Sequence, residues 1–336
     1  MKRLAALLAT AALTLATPAS VLAWGNTGHR LVGEAAMRAL PAEVPAFLRS
    51  AQAVADVGEL SREPDRSKGA GRTHDTDRDA GHFLDLSDDG TVLGGPKLSA
   101  LPVTRADYEK ALQAAGQSSW KAGYLPYSIV DRYQQLAVDF AFWRVLTAAE
   151  ANPAWKAHRE WFAADRRRRE AQILETLGQL SHFVGDGSQP LHVTVHFNGW
   201  GDFPNPAGYS NAKLHAPFEG DLVQANVTTA GVAAKMLPPR AYAGSIEQRT
   251  VDYLASTNRL VVPFYEMEKA GGMAAGDPRG PALATQQIAV GASELRDLVV
   301  LAWRASANQS VGWKPVSVAD VVAGKTDPYP SLYGID

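Results

Sequence analysis

Apolar side chains recur at helical spacing in six stretches: Leu31 to Leu40, Val44 to Leu60, Tyr127 to Ala149, Ala171 to Val184, Ile246 to Ala270 and Leu283 to Ala305. Few segments alternate as strands do. The pattern predicts an all-α fold, a single compact helical domain whose helices are joined by long Gly/Pro-rich loops. The loops fall at Ser67 to Gly81, Asp85 to Leu101 and Val193 to Ala212. They carry His, Asp, Lys and Trp rather than only Ser and Gly, which marks them as functional rather than as spacers. No internal repeat and no low-complexity boundary divides the chain.

Ahead of the first helical stretch stand Met1-Lys2-Arg3, an apolar run from Leu4 to Ala16, Pro18, and Val21-Leu22-Ala23. This is the pattern of a secretory signal peptide over residues 1–23, with cleavage after Ala23 and one catalytic domain over residues 24–336. The run is too short for a confident membrane span, and no later segment reaches the roughly 18 to 20 uninterrupted apolar residues that a span requires. The expectation is a soluble mature protein, periplasmic or extracellular, whose first residue is Trp24.

Composition narrows the function further. A formal net charge of -2 gives no bulk attraction for polyanions, so any nucleic-acid binding must be local, through metal ions or a basic patch. The one dense charge run, Asp165-Arg166-Arg167-Arg168-Arg169-Glu170, reads first as a solvated helix face flanked by its own counter-charges, and second as a patch for phosphates. Cysteine is absent, so an exported chain must rely on its core, to which bound metal would add folding free energy.

The strongest chemical signal is His182-Phe-Val-Gly-Asp186-Gly-Ser-Gln-Pro-Leu-His192. His182 and Asp186, four apart, share a helix face, and Gln189-Pro190 turns the chain before His192. A second imidazole and carboxylate at the same spacing, His215 and Glu219, follow. One such pair is more often a surface pair or a satisfied core histidine; two with His192 between them point to metal. Imidazole nitrogen with carboxylate oxygen suits zinc, and a catalytic site needs an open coordination position.

These motifs, together with Trp24-Gly-x-x-Gly-His29 after the predicted leader, resemble the nuclease S-one/P-one family, which shares its fold and three-zinc site with bacterial zinc phospholipase C. The ordered motifs run from Trp24 to Glu219. The resemblance implies three zinc ions. Trp24, through its free α-amino group and carbonyl oxygen, and His29 would hold the first; Asp186 would bridge it to a second, shared with His182, His82 and an aspartate; His192, His215 and Glu219 would hold the third. The aspartate is expected to be Asp65, in Glu-Pro-Asp, 17 residues before His82, with Asp56 the competitor. His74, His158 and His196 remain over as surface or supporting groups, His196 being the likeliest exception.

By the same resemblance the chain would be an endonuclease that hydrolyses single-stranded DNA or RNA to 5'-nucleotides, with 3'-nucleotidase activity, using water activated between two zinc ions. Asp65 would orient that water and accept its proton. Phe83 would stack on a base, Asp85 would accept hydrogen bonds from its edge, and Lys68 would neutralise a phosphate. Phe83 and Asp85 can equally be a core ring and a loop acid, and Lys68 a solvated lysine. Trp200, Phe203 and Tyr209 could line a groove for bases or receive a choline headgroup. The alternatives are a zinc phospholipase C acting on phosphatidylcholine, to which Glu219 in place of an aspartate points, and a zinc-binding protein without turnover. No obligate protein partner is expected.

Overall fold

All six apolar stretches are helical in the computed structural model, which describes residues 24–334; the predicted leader, residues 1–23, lies outside the described residues. The principal helices are α1 (Asn26–Arg38), α2 (Ala51–Leu60), α3 (Leu125–Ala151), α4 (Arg159–Ser188), α5 (Ile246–Asn258), α6 (Val261–Lys269) and α7 (Arg279–Ser306). Among the described residues no helix is long and apolar enough to cross a membrane.

Two of the stretches are broken, each for a local reason. Within Val44 to Leu60, Ser50 has extended backbone and accepts a hydrogen bond from the Ala53 amide at 3.1 Å, capping α2 as a separate helix. Within Ile246 to Ala270, Pro263 has no N–H to continue a helix from α5, but it fits the first turn of α6. The stretch Ser67 to Gly81, expected as a loop, is helical over Arg72–Arg78. Its polar sequence carries no apolar face for periodicity to reveal.

α3 and α4 form a long antiparallel hairpin, with Phe140, Val145 and Leu146 buried on one side and Phe162, Ile173 and Leu177 on the other. α4 begins well before Ala171, because the Arg-rich run is helical and paired. Arg166 reaches Glu150 of α3 and Glu170, both at 2.6 Å, and Arg169 reaches the buried Asp139 of α3 at 2.7 Å. Two of the four arginines therefore fasten the hairpin rather than face a partner. α7 packs on α1, α3 and α4, and α2 packs on α1 and α4. Gly178 of α4 lets the backbone of Leu60 approach so closely that an added Cβ would stand 2.7 Å from the Leu60 carbonyl carbon. The only regular strands among the described residues are the two-residue pair β1 (Ser310–Val311) and β2 (Val316–Ser317).

Candidate metal centre

The C-terminal half of α4 is buried on every side from Leu180 to Ser188, apart from Phe183, so His182 and Asp186 are buried together one turn apart. α1 brings His29 against them, its ring stacked on that of His182 at 3.9 Å between centroids. Gly185 makes room: a Cβ there would sit 3.2 Å from His29 Nδ1. Asp65 comes from a single helical turn, Glu63–Arg66, and His82 from the 3-10 turn Asp79–His82.

Three groups of side chains could each hold a metal ion: His29 with His182 and Asp186, Asp65 with His82 and His182, and His192 with His215 and Glu219. Within each, the candidate ligand atoms lie within 4.8 Å of one another. The first two groups are joined. Asp186 turns Oδ1 to His29 Nε2 at 3.6 Å and Oδ2 to His82 Nδ1 at 3.2 Å and His182 Nε2 at 3.3 Å. Asp65 divides its oxygens the same way, Oδ2 toward His29 at 3.8 Å and Oδ1 toward His82 at 3.8 Å. Asp56 is elsewhere, accepting from Gln52 on the outer side of α2.

Backbone carbonyls fix which ring nitrogen is bare. His182 Nδ1 donates to Ser61 O at 2.8 Å, His192 Nδ1 to His82 O at 2.7 Å, and His215 Nδ1 to Phe197 O at 2.8 Å. Nε2 is thereby the nitrogen turned to the site in each ring, as metal-binding histidines are usually held; that of His182 meets His82 Nδ1 at 2.8 Å, and those of His192 and His215 meet no hydrogen-bond partner. Gln189, between Asp186 and His192 in the motif, accepts from the Leu191 amide and donates to Glu219 Oε2 at 3.2 Å, orienting that carboxylate. Its position in Gln-Pro-Leu-His was a sequence signal for this. The three supporting carbonyls left none, since any residue supplies a carbonyl. Glu219 itself lies in a π-helical segment, Pro217–Leu222, on the wider turn that function often selects.

The centre is short of partners for its polar atoms. Both oxygens of Asp186, Nε2 of His29, His192 and His215, and Oε1 of Glu219 are buried without a hydrogen bond. Leaving so many polar atoms unmet in one place is costly, and a cation among them satisfies all at once. The donor set therefore fits metal. Its electrostatics agree. Burial holds the imidazoles of His29, His82, His182 and His192 below their ordinary range, keeping them neutral and able to ligate. Burial, then the nearby Asp65 carboxylate, pushes Asp186 well up against the opposing pull of the Lys68 ammonium. Burial also works against an ionised Glu219, but the imidazoles of His215 and His192 outweigh it and bring the carboxyl below its usual range.

Trp24 is buried beside the centre: its indole donates to Ser188 Oγ at 2.9 Å and its ring lies 5.6 Å from that of Phe218. The next amide, of Gly25, donates to the Glu219 carbonyl at 3.2 Å. Lys68 Nζ stands 2.6 Å from Asp65 Oδ1, inside the site. Phe83 is half-buried, packed against the core at Gly123. Burial pushes the Asp85 carboxyl up to about 8, so at neutral pH it is protonated and donates as well as accepts, where acceptance alone was expected.

The remaining histidines lie outside the three groups. His74 meets Asp75, His158 stacks on Tyr329, and His196 has both nitrogens engaged, by the Trp200 carbonyl and by Asp88. Trp200 is buried in an aromatic cluster with His196, Tyr209 and Tyr265, its indole bonded to the Pro204 carbonyl, so it closes its own loop rather than lining a groove. Phe203 alone of the three expected aromatics is exposed. In comparison with known proteins, the chain matches no family model and no curated protein.

Proposed function

We propose that the chain is an exported, zinc-dependent hydrolase of phosphate esters, a nuclease acting on single-stranded nucleic acid and on nucleoside 3'-monophosphates. The observation that carries this reading is the convergence of three thiol-free ligand groups, bare imidazole nitrogens facing buried carboxylates, with two aspartates dividing their oxygens between neighbouring groups. Imidazole and carboxylate donors suit zinc, and the resemblance of the motifs supplies the number three. Zinc held there supplies Lewis acidity, lowering the pKa of water and offsetting charge on phosphate oxygens.

The chain's own groups do the rest. Asp65, 8 % exposed, is placed to orient a water and take its proton as the water oxygen attacks phosphorus and the ester oxygen leaves. Lys68 beside it offers an ammonium to a phosphate oxygen. Trp24 is buried, one residue before the Gly25 amide that bonds the Glu219 carbonyl, and a freed α-amino group would add to the first group. Phe83 provides a stacking face, and a protonated Asp85 matches a base edge with a donor beside an acceptor rather than guanine's two adjacent donors.

The test offers the processed, zinc-loaded protein single-stranded DNA, RNA, a nucleoside 3'-monophosphate and phosphatidylcholine side by side. Cleavage of the nucleic acids that stops with chelator and returns with zinc is the expected result. Turnover of the lipid alone would make the chain a phospholipase C, the reading that Glu219 favours. Zinc bound tightly with no turnover of any substrate would leave a zinc-binding protein.

A further inference from the structure

A cavity of about 810 Å³ opens beside the metal centre, with His82 in the wall common to both. Tyr124, Tyr127 and Phe183 form much of its surface, and the guanidinium groups of Arg78 and Arg105 line it. Two of the carboxylates around it are already met: Glu63 by Arg66 at 2.6 Å and Asp131 by Arg132 at 2.6 Å. Glu247 is the remaining acid in the wall. Among the described residues neither Arg78 nor Arg105 stands in a close ion pair, Glu109 feeling Arg105 only at longer range, so the wall offers two cations against Glu247.

Tyr124 holds both. The Arg105 guanidinium lies 3.5 Å from the centre of its ring, and its hydroxyl donates to the carbonyl of Asp77, the residue before Arg78. Both arginines are exposed side chains on the cavity's rim, one stacked on the Tyr124 ring and the other following the carbonyl that Tyr124 bonds. A lone phosphomonoester is already provided for at the metal centre, and a quaternary ammonium headgroup would be repelled here. The chemistry that uses two guanidiniums beside aromatic rings, one step from a phosphate-cleaving site, is a second phosphate with a nucleoside between.

We propose that this cavity is the subsite for the phosphodiester adjoining the one cleaved, so that the chain is built for a polynucleotide strand rather than a mononucleotide. Arg78 and Arg105 bind the flanking phosphate, and Tyr127 and Phe183 give the intervening nucleoside an apolar wall. This rests on the nuclease reading above, and the experiment separates the two.

Binding of a phosphorothioate-linked single-stranded decanucleotide to the zinc-loaded protein is measured by fluorescence anisotropy across salt concentrations, and turnover of a nucleoside 3'-monophosphate is measured in parallel. The double variant R78A/R105A should weaken decanucleotide binding by about tenfold or more, and by at least about tenfold more than it lowers mononucleotide kcat/KM. Its log–log salt slope should fall by about 0.7, for the one flanking phosphate. R78K/R105K should keep the slope, separating lost charge from lost fold. Unchanged decanucleotide affinity and slope in the alanine variant would overturn the subsite, even with mononucleotide turnover intact. Arginine-dependent strand binding by a protein that hydrolyses no phosphate ester would instead uphold the subsite and refute the catalytic reading.

Discussion

Nε2 of His215 stands 2.9 Å from Oε2 of Glu219, yet the two make no hydrogen bond. Nδ1 donates to the Phe197 carbonyl, so Nε2 is the nitrogen that faces the carboxylate. An imidazole nitrogen and a carboxylate oxygen that close are held by positive charge, a metal ion or a proton. The same shortage recurs at His29, Asp186 and His192, and it makes metal content the first quantity to measure.

Substitution of Asp186 should separate the groups. Asp186→Ala removes a ligand from the two joined groups and leaves His192, His215 and Glu219 untouched. Elemental analysis should give three zinc ions per parent chain and one in the variant. Retention of all three would mean that Asp186 does not bridge.

Asp65 and Asp56 should behave oppositely. Asp65→Asn should lower phosphodiester turnover by about 10²-fold or more, whereas Asp56→Asn, on the outer side of α2, should leave it unchanged. Steady-state kinetics on single-stranded DNA decides the matter, and a large loss in the Asp56 variant would reverse the assignment.

Asp85 predicts a pH dependence. Its carboxyl is raised in the folded chain to about 8 by burial, so folded protein holds a proton that unfolded chain has released. The stabilisation is complete below the unfolded value, near 4, and is lost as pH rises through about 8. Denaturant midpoints of chelated protein should therefore fall between pH 5 and pH 8 more steeply in the parent than in Asp85→Asn. Equal slopes would place Asp85 in water.

Phe83→Ala should raise KM for nucleotide substrates while leaving zinc content at the parental value, because the ring touches the core at Gly123 and is no ligand. Parental kinetics would assign Phe83 to packing alone.

Gly178→Ala should cost on the order of 1–3 kcal/mol of stability, since its Cβ would meet the Leu60 backbone. The same displacement moves the Ser61 carbonyl away from His182 Nδ1, so zinc affinity should fall with it. Thermal melts with and without chelator report both effects. Loss of stability without loss of affinity would detach the carbonyl from the metal centre.

The sequence by itself determined the helical class and most of the ligand set, because both are written in short-range spacing. An apolar face repeats within a turn or two, and His182 with Asp186, or His215 with Glu219, announce themselves at four residues. The absence of cysteine ruled out thiol chemistry, and the imidazole and carboxylate spacing marked side chains that could hold metal. Only the tertiary structure decided between Asp65 and Asp56, since both stand near the end of a helical run and long-range packing alone brings one to His82. It also chose the bare nitrogen of each ring, through carbonyls of Ser61, His82 and Phe197 that any side chain could accompany, and it enclosed Trp200 in an aromatic cluster. Arg78 and Arg105 lie 27 residues apart and line one cavity only because Tyr124, from a third segment, stacks on the Arg105 guanidinium and bonds the Asp77 carbonyl. Spacing encodes what one helix can do; convergence between segments is encoded only in the packing of the whole chain.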